Sequence, residues 1–313
     1  MKLGFIFAGQ GQQFKGMGLD LIVASSEVKE IYQRASLVLG YDLQEVSNDE
    51  NALAKTIFTQ PALLTLNYAL AHMLKQNGIK AEYVAGLSLG EYNALIEAEV
   101  LSFEDALKII KERARIMSNA LPKNSTGMVA ILKADLGIIN EVLNDSRLNN
   151  EVAICNYNTF EQIVIGGSLV KLEIACELLK EKGLKRIIPL NVSTVSHMHL
   201  LNDAAKELEL VLKEYIFVKP NIKFVNNVAA EYQEDNFVET LTKQISSSTY
   251  LAQSIELMMN DGVTTFIEIG PKNTISSFIK SIAKKLDKNA KVFNVYDLET
   301  VKEVVKEMSD DSE

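Results

Sequence analysis

The sequence predicts an α/β protein with a parallel sheet at its core and a smaller, ferredoxin-like unit inserted into the larger domain. Its 313 residues suffice for about two domains, and 47% hydrophobic with 23% charged residues is typical of a folded chain. Strand and helix patterns alternate from the first residues, which indicates an α/β fold. Over 124–192 the order becomes β-α-β-β-α-β, which is that of a ferredoxin-like unit. We therefore expect a large domain of 1–123 and 193–313 around an insertion of 124–192.

The first half of the larger domain is predicted from apolar patterns and helix-start signals. A proline suits the first turn of a helix, and Ser102 with Asp105 has the spacing of a capping box. In chain order the predicted elements are a strand at Leu3–Ala8, a helix at Pro61–Gln76, a strand at Tyr83–Leu87, a helix from Gly90 and a helix from Ser102 to Asn119.

A linker at Pro122–Gly127 precedes the inserted unit, and the larger domain resumes after it. The predicted elements of the insertion are strands at Met128–Leu132, Val152–Tyr157, Gln162–Ile165 and Arg186–Leu190 and helices at Asp135–Leu143 and Leu169–Lys182. After it we expect helices near 198–214, 237–246, 250–260 and 273–285, strands at Thr265–Ile269 and Val292–Val295, and an acidic, frayed tail at Lys306–Glu313.

Charge and hydropathy exclude several classes of function. The net charge of −9 makes nonspecific binding to nucleic acid or to an anionic membrane a poor interpretation, because both need a basic surface. The longest uncharged stretch, Thr56–Leu74, contains polar residues and a proline, so it predicts a buried helix rather than a membrane span. The apolar start, Met1–Ala8, is too short for the core of a signal peptide. We expect a cytoplasmic protein.

The two cysteines are predicted to be buried free thiols. Cys155 and Cys176 lie in apolar patterns and lack the spacing of a CxxC or a Cys/His metal site. Free thiols suit a reducing compartment. We accordingly expect neither a metal nor a bound cofactor.

The strongest chemical signal is Gly86–Gly90, which fits the pattern G-x-S-x-G between a predicted strand and a predicted helix. In that context the glycines allow a sharp turn that exposes the hydroxyl of Ser88. The helix N-terminus supplies free N–H groups that can stabilise an oxyanion. An ordinary tight turn is the alternative interpretation.

A serine nucleophile needs a base, and the chain contains three histidines. His72 lies within the apolar pattern of a helix and is expected to be structural. His197 and His199 lie together at a predicted strand-to-helix junction after the insertion. One of them is the expected base, and spacing alone does not choose between them.

Arg113 falls on the apolar stripe of its predicted helix, whereas Arg115 falls on the polar face and is expected to be solvated. A buried guanidinium is costly unless it meets a carboxylate or lines a wet pocket. Two hypotheses follow for Arg113: a structural ion pair, or a bidentate contact with the carboxylate of a substrate.

The loop Gly9–Gln13 follows the first strand but lacks the G-x-G-x-x-G spacing of a dinucleotide site. A backbone N–H of this loop is instead a candidate second oxyanion donor.

Together these segments resemble the malonyl-CoA:acyl-carrier-protein transacylase family, which also supplies the acyltransferase domains of fatty-acid and polyketide synthases. The resemblance extends over nearly the whole chain, because the order and the separations of the motifs agree. The segments similar to family motifs are Gly9–Gln13 (GQGQQ), Thr59–Ala62 (TQPA), Gly86–Tyr92 (GLSLGEY), Lys111–Arg113, Ser196–His197 and Glu268–Pro271.

The resemblance implies an α/β-hydrolase-like large domain with an inserted ferredoxin-like domain, and a role for each matching residue. Ser88 becomes the acyl-accepting nucleophile and His197 the base, with His199 a neighbour. Arg113 would bind the free carboxylate of a malonyl group. The remaining implied roles are the oxyanion-hole N–H groups of Gln10 and Leu89 and the histidine-orienting backbone carbonyl of Gln244.

The implied reaction transfers a malonyl group from malonyl-CoA to the phosphopantetheine thiol of an acyl carrier protein, which feeds fatty-acid synthesis. Malonyl-CoA is then a substrate, and the phosphopantetheine belongs to the partner. Carrier proteins are acidic, so docking requires a locally basic surface, which we expect near Lys182, Lys185 and Arg186 on a monomer. The alternatives are a trans-acting polyketide-synthase acyltransferase, a serine esterase or thioesterase, and a non-catalytic scaffold.

Three positions depart from the family pattern. Leu87 stands where many members have histidine before the serine, Ser247–Leu251 replaces a proline-valine-x-aromatic segment, and Lys272 replaces the last glycine of a G-P-G turn. These differences bear on acyl specificity and turnover.

Overall fold

The larger sheet is parallel and forms the centre of the molecule. A computed structural model describes residues 2–192 and 194–310. Its strands are β1 (Lys2–Phe7), β2 (Tyr83–Gly86), β7 (Lys223–Phe224), β8 (Val263–Ile269) and β9 (Lys291–Val295). They lie in the order β7-β2-β1-β8-β9, and neighbouring strands are parallel.

Both faces of this sheet are covered by helices, as a parallel sheet requires. Successive side chains of β1 and of Ala8, which follows it, alternate between two apolar cores: Phe5 and Phe7 pack on one face, and Ile6 and Ala8 on the other. The helices of the larger domain are α1 (Leu19–Ala24), α2 (Ser26–Leu39), α3 (Leu43–Ser47), α4 (Glu50–Leu53), α5 (Thr56–Gln76), α6 (Gly90–Glu97), α7 (Phe103–Asn119), α10 (Asn202–Leu212), α11 (Phe237–Ser246), α12 (Leu251–Asn260), α13 (Thr274–Lys285) and α14 (Leu298–Asp310).

A second sheet of four antiparallel strands lies within the segment predicted to be inserted. Its order is β4-β5-β3-β6. The strands are β3 (Thr126–Leu132), β4 (Val152–Thr159), β5 (Gln162–Ser168) and β6 (Ile187–Pro189), accompanied by helices α8 (Leu136–Leu143) and α9 (Leu169–Glu181). Val129 and Ile131 pack with these helices, whereas Met128 and Ala130 point to the opposite face.

The predicted α/β class with two separate sheets is confirmed. The predicted domain boundaries stay a prediction, and Ser193, the first residue of the second large-domain segment, lies outside the described residues. In the described part of the chain, no helix has both the length and the apolar character needed to cross a membrane.

Several elements differ in extent from the prediction, and others were not predicted at all. Helix α5 begins at Thr56, so Pro61 is its sixth residue rather than its first. Because Pro61 has no N–H, the carbonyl of Ile57, four residues earlier, lacks the usual helical hydrogen bond from it. The expected helix at 198–214 is a 3₁₀ turn, His199–Leu201, followed by α10. Helices α1, α3 and α4 and strand β7 were not predicted because elements of two to six residues show little periodicity. Helix α2 has 14 residues and was missed although its buried residues follow a helical period: Val28, Ile31, Tyr32, Ala35 and Leu39.

The tail is mostly helical rather than frayed. Helix α14 runs to Asp310, and its apolar residues Val301, Val304 and Met308 are buried in the core of the larger domain. That i, i+3, i+7 spacing is a helical signal that the acidic composition of the tail concealed. The last three residues of the predicted tail, 311–313, lie outside the described part.

Candidate active site

The serine turn connects β2 to α6 and requires glycine on both sides. A Cβ on Gly86 would lie 2.0 Å from the carbonyl carbon of Gly90, and a Cβ on Gly90 would lie 2.1 Å from the carbonyl oxygen of Phe7. Ser88 itself has φ 55°, a left-handed conformation that is unfavourable for a residue with a Cβ. The glycines thus make room for the turn, while Ser88 carries its strain.

His197 is the histidine that the fold brings to Ser88. Its Nε2 lies 2.9 Å from Ser88 Oγ, and its Nδ1 lies 2.6 Å from the backbone carbonyl oxygen of Gln244. A carbonyl oxygen only accepts hydrogen bonds, so Nδ1 carries the hydrogen and Nε2 of the neutral ring is free to accept one. Burial lowers the pKa of His197 to about 4; the charge of Arg113 lowers it as well, and the bond to Gln244 opposes both.

The other two histidines lie elsewhere. His199 is exposed and lines a separate cavity beside Ser248. His72 pairs with Glu27, with 3.2 Å between Nε2 and Oε2, on the outside of α5. The tertiary structure therefore separates His197 from its neighbour, which spacing in the sequence could not do.

Arg113 reaches the same serine from α7. The guanidinium is only 1% exposed and donates to Gln60 Oε1 at 2.8 Å, to Ser88 Oγ at 3.1 Å and to Gln244 Oε1 at 3.0 Å. Its Nε has no hydrogen-bond partner among the described residues. Burial lowers the pKa of Arg113, but a guanidinium stays charged in proteins. Among the described residues, this cation is held by amides and a hydroxyl and forms no direct ion pair.

Gln10 and Leu89 line the cavity that Ser88, His197 and Arg113 share, which measures about 330 Å³. The loop that carries Gln10 packs tightly on the serine turn, since a Cβ on Gly9 would lie 2.5 Å from the carbonyl oxygen of Leu87. Leu89 immediately precedes the first residue of α6, at the N-terminal end of that helix.

The two sheets build this cavity jointly. Met128, Ala130 and Val164 line it from the face of the antiparallel sheet that α8 and α9 leave free. Asn158 and Gln162 add amide groups from the same sheet, and Oδ1 of the buried Asn158 has no partner among the described residues. The cavity therefore combines an apolar wall from the antiparallel sheet with many polar side chains.

Sequence reasoning missed two residues behind the serine, Glu91 and Asn227. Both are buried, and the backbone N–H of Asn227 donates to Glu91 Oε1 at 2.8 Å. Nε2 of Gln244 donates to the other oxygen of Glu91 at 2.5 Å. Burial raises the pKa of Glu91 to about 7, against the lowering effect of these hydrogen bonds and of Arg113. A carboxylate in the fully buried α6 was a signal for Glu91, whereas nothing in the sequence indicated Asn227.

Among the described residues, no group of three or more His, Cys, Asp or Glu side chains could hold a metal ion. The chemical groups that converge here are a hydroxyl, an imidazole and a guanidinium. That set can form and resolve an acyl ester beside a bound carboxylate.

Comparison with known proteins identifies the family to which this chain belongs. The sequence model of the acyl transferase domain matches residues 4–308, almost the whole chain. The malonyl CoA-acyl carrier protein transacylase of Bacillus subtilis is 35% identical over 317 residues, covering 100% of this chain and 99% of the relative. The chain belongs to the malonyl-CoA:acyl-carrier-protein transacylase family.

Solved structures of the transacylase family superpose on the whole chain. The crystal structure from Clostridium perfringens has a TM-score of 0.94 at 40% identity, covering 100% of this chain and 98% of that one. The structure from Streptococcus pneumoniae has a TM-score of 0.93 at 38% identity, covering 98% and 100%. A malonyl-transacylase in complex with a holo type II PKS acyl-carrier protein gives 0.93 at 31% identity, covering 98% and 100%.

Proposed function

We propose that this chain transfers a malonyl group from malonyl-CoA to the phosphopantetheine thiol of an acyl carrier protein, through a malonyl ester of Ser88, and so feeds fatty-acid synthesis. The observation that carries the proposal is the shared position of three groups. Ser88 Oγ lies 2.9 Å from the imidazole of His197 and 3.1 Å from the guanidinium of Arg113. Full-length relatives named as malonyl transacylases support the same conclusion.

The first half-reaction forms the ester and releases coenzyme A. Ser88 Oγ attacks the thioester carbonyl carbon as Nε2 of His197 takes the hydroxyl proton. The backbone N–H groups of Gln10 and Leu89 stabilise the negative charge on the carbonyl oxygen. The C–S bond then breaks, and the sulfur leaves with the proton that His197 carries.

The second half-reaction reverses these steps with a different thiol. The phosphopantetheine thiol gives its proton to Nε2 of His197 and attacks the ester carbonyl carbon. The bond from this carbon to Ser88 Oγ breaks, and the oxygen recovers the proton from His197. Because the carbonyl of Gln244 accepts from Nδ1, the ring keeps the tautomer that both half-reactions need.

Arg113 supplies the selectivity for malonyl. Its guanidinium lies close enough to Ser88 to reach the free carboxylate of a short acyl group, one methylene beyond the reacting carbonyl carbon. An acetyl group has no such carboxylate, so it forfeits the bidentate contact that a planar guanidinium makes best.

The carrier protein is proposed to dock on the basic end of the inserted unit. Lys185 and Arg186 are exposed just before β6, whereas Lys182 already pairs with Glu141 at 2.6 Å. Leu190 and Val192 continue from β6 into the wall of the cavity, so this surface leads to Ser88. We propose a cytoplasmic monomer, in keeping with its two free cysteines.

A trans-acting polyketide-synthase acyltransferase is the second candidate. The similarity to a malonyl-transacylase bound to a type II PKS acyl-carrier protein favours it. The chemistry at Ser88 would be identical, and only the carrier protein would differ. Transfer rates to carrier proteins of the two pathways, measured side by side, decide between them.

Intact-mass spectrometry after incubation with an equal mixture of malonyl-CoA, methylmalonyl-CoA and acetyl-CoA tests the proposal. We expect a malonyl adduct on the native chain, discharge of that adduct by a carrier protein, and no adduct on Ser88→Ala. An adduct that water discharges as fast as the carrier protein does would instead indicate an esterase or thioesterase. A label retained by Ser88→Ala would remove Ser88 as the nucleophile.

A further inference from the structure

The strained conformation of Ser88 needs something to hold it. A left-handed conformation is unfavourable for a residue with a Cβ, and it persists only where the surroundings fix it. Gly86 and Gly90 leave room for the turn, but glycine has no side chain that could hold the turn in this conformation. Groups outside the turn must therefore do so.

The side chain of Asn227 spans the turn. Its Oδ1 accepts from the backbone N–H of Ser88 at 2.7 Å, and its Nδ2 donates to the carbonyl oxygen of Gly86 at 2.5 Å. One carboxamide thus bonds the residue before the turn and the nucleophile itself. It also engages the Ser88 N–H, so this group does not serve the oxyanion.

Asn227 is in turn fixed on its other side. It is 4% exposed, its backbone N–H donates to Glu91 Oε1 at 2.8 Å, and its carbonyl accepts from the N–H of Tyr250 at 2.9 Å. The second oxygen of Glu91 accepts from Nε2 of Gln244, which also donates to the carbonyl oxygen of Ser88 at 2.8 Å. A single buried carboxylate therefore anchors amides on both sides of the nucleophile.

We infer that Asn227 is a positioning residue for this reaction, because its carboxamide, anchored by Glu91, holds the turn that directs Ser88 Oγ toward His197. The inference rests on the proposed role of Ser88 as nucleophile. Without the carboxamide the turn relaxes toward an unstrained conformation, and Oγ moves away from Nε2. A displacement of about 1 Å between reacting groups costs about 100-fold in rate.

The chain offers a matched control in the adjacent residue. Asn226 is also 4% exposed, and its side chain also bonds backbone groups: Nδ2 donates to the carbonyl oxygen of Glu231 at 3.0 Å, and Oδ1 accepts from the N–H groups of Val228 and Ala229. None of these partners belongs to the serine turn. Alanine and aspartate substitutions at 226 and at 227 therefore remove hydrogen bonds that are equally buried. At 227 the lost bonds go to the serine turn, whereas at 226 they go to residues outside it.

The experiment compares Asn227→Ala and Asn227→Asp with Asn226→Ala and Asn226→Asp in the full chain, at a temperature where circular dichroism shows all of them folded. It measures the single-turnover rate of acylation by malonyl-CoA, the KM for malonyl-CoA, and the rate at which phenylmethanesulfonyl fluoride modifies Ser88. The sulfonyl fluoride reports the reactivity of Oγ without any carboxylate for Arg113. Asn227→Ser replaces any variant at 227 that does not fold.

We expect both rates to fall by about 100-fold in the variants at 227, with the KM for malonyl-CoA within about twofold of the native value. The variants at 226 should lose comparable thermal stability and keep both rates within about threefold. Native rates in the variants at 227, or rate losses at both positions in proportion to lost stability, would overturn the inference. Failure of the native chain to transfer malonyl would refute the proposed function instead, and the sulfonylation rates would still decide the role of Asn227.

Discussion

The side chains of Arg113 and His197, from separate parts of the sequence, both contact Oγ of Ser88. Ser88 Oγ accepts from Arg113 and lies within hydrogen-bond distance of His197, while the side chain and the carbonyl of Gln244 contact both of these partners. Every member of this set except Ser88 is at least 98% buried. The reaction therefore takes place where a fixed charge acts through little solvent.

Replacing Arg113 with alanine should reduce malonyl transfer by about 100-fold or more, because a buried charged contact to the substrate is lost. Acetyl transfer should improve relative to the native chain, since the vacated site no longer favours a carboxylate. Paired assays with malonyl-CoA and acetyl-CoA measure this ratio. Arg115→Ala is the control, because Arg115 is exposed and pairs with Glu112 and Glu207. An unchanged ratio in Arg113→Ala would refute the carboxylate contact.

His197→Ala should slow acylation by about 100- to 10,000-fold, as expected when a general base is removed. His199→Ala should leave the rate near the native value, because His199 lines a different cavity. Rapid-quench measurement of coenzyme A release compares the two variants. The opposite ranking would assign the base to His199.

The acid limb of kcat/KM should lie near pH 4 rather than near 6.5. A base must be neutral to accept a proton, and burial lowers the pKa of His197 to about 4, so the ring stays neutral well below pH 6.5. A pH–rate profile with malonyl-CoA measures the limb. Glu91→Gln is the control, because burial raises the pKa of Glu91 to about 7, and a step there should vanish in that variant. A limb at 6.5 in both chains would contradict the buried neutral histidine.

The helices around the site fix the positions of its functional side chains. Helix α7 begins where Ser102 Oγ accepts from the N–H of Asp105 at 3.1 Å, and Arg113 lies on its buried face. Helix α5 places Gln60 against Arg113, and α6 begins two residues after Ser88. Capping and helical phase, which the sequence displays, thus decide which side chains face the cavity.

Gly90→Ala should destabilise the protein by about 3 kcal/mol or more, since its Cβ would overlap the backbone of β1, which cannot yield. The added Cβ would lie 2.1 Å from the carbonyl oxygen of Phe7. Gly40→Ala is the control: Gly40 has φ +81° but nothing within 4 Å, so only the strain of about 1–2 kcal/mol applies. Urea denaturation measures both free energies of unfolding. Equal losses at the two positions would mean that the turn is less tightly packed than described.

At the scale of the whole molecule, the active cavity exists because two different sheets face each other. The parallel sheet presents the serine turn, and the antiparallel sheet closes the cavity with the face that carries Met128, Ala130 and Val164. The bridge between Asn156 and Thr249 joins the two parts directly. The chain as a whole carries a charge of −9, so an acidic partner needs a locally basic surface on which to dock.

Reversing the charges of Lys185 and Arg186 to glutamate should lower kcat/KM for the carrier protein by about tenfold through a slower association rate. Acylation by malonyl-CoA should stay native, because neither residue lines the cavity. The double substitution of Lys302→Glu and Lys306→Glu, on the exposed face of α14, is the control because it changes the net charge by the same amount. Transfer assays at several salt concentrations measure the effect. An equal loss in both half-reactions would place docking elsewhere.

The α/β class, most of the long helices, the strands around the site and the turn that carries Ser88 could all be predicted from the sequence. These features are local, since they depend on hydrophobic periods of 2 and 3.6 residues and on glycines at fixed spacing. Elements too short to show a period, such as α1, α3, α4 and β7, were not predicted. Helix α2 was also missed, although its 14 residues do show a helical period.

Three features of the site depend on the tertiary structure: the histidine that contacts Ser88, the absence of a direct ion pair to Arg113 among the described residues, and the positions of Glu91 and Asn227 behind the nucleophile. The bond between Asn227 and Ser88 joins residues 139 positions apart. Contacts over such separations depend on how the sheets and helices close on one another, and neither spacing nor residue type along the chain encodes them.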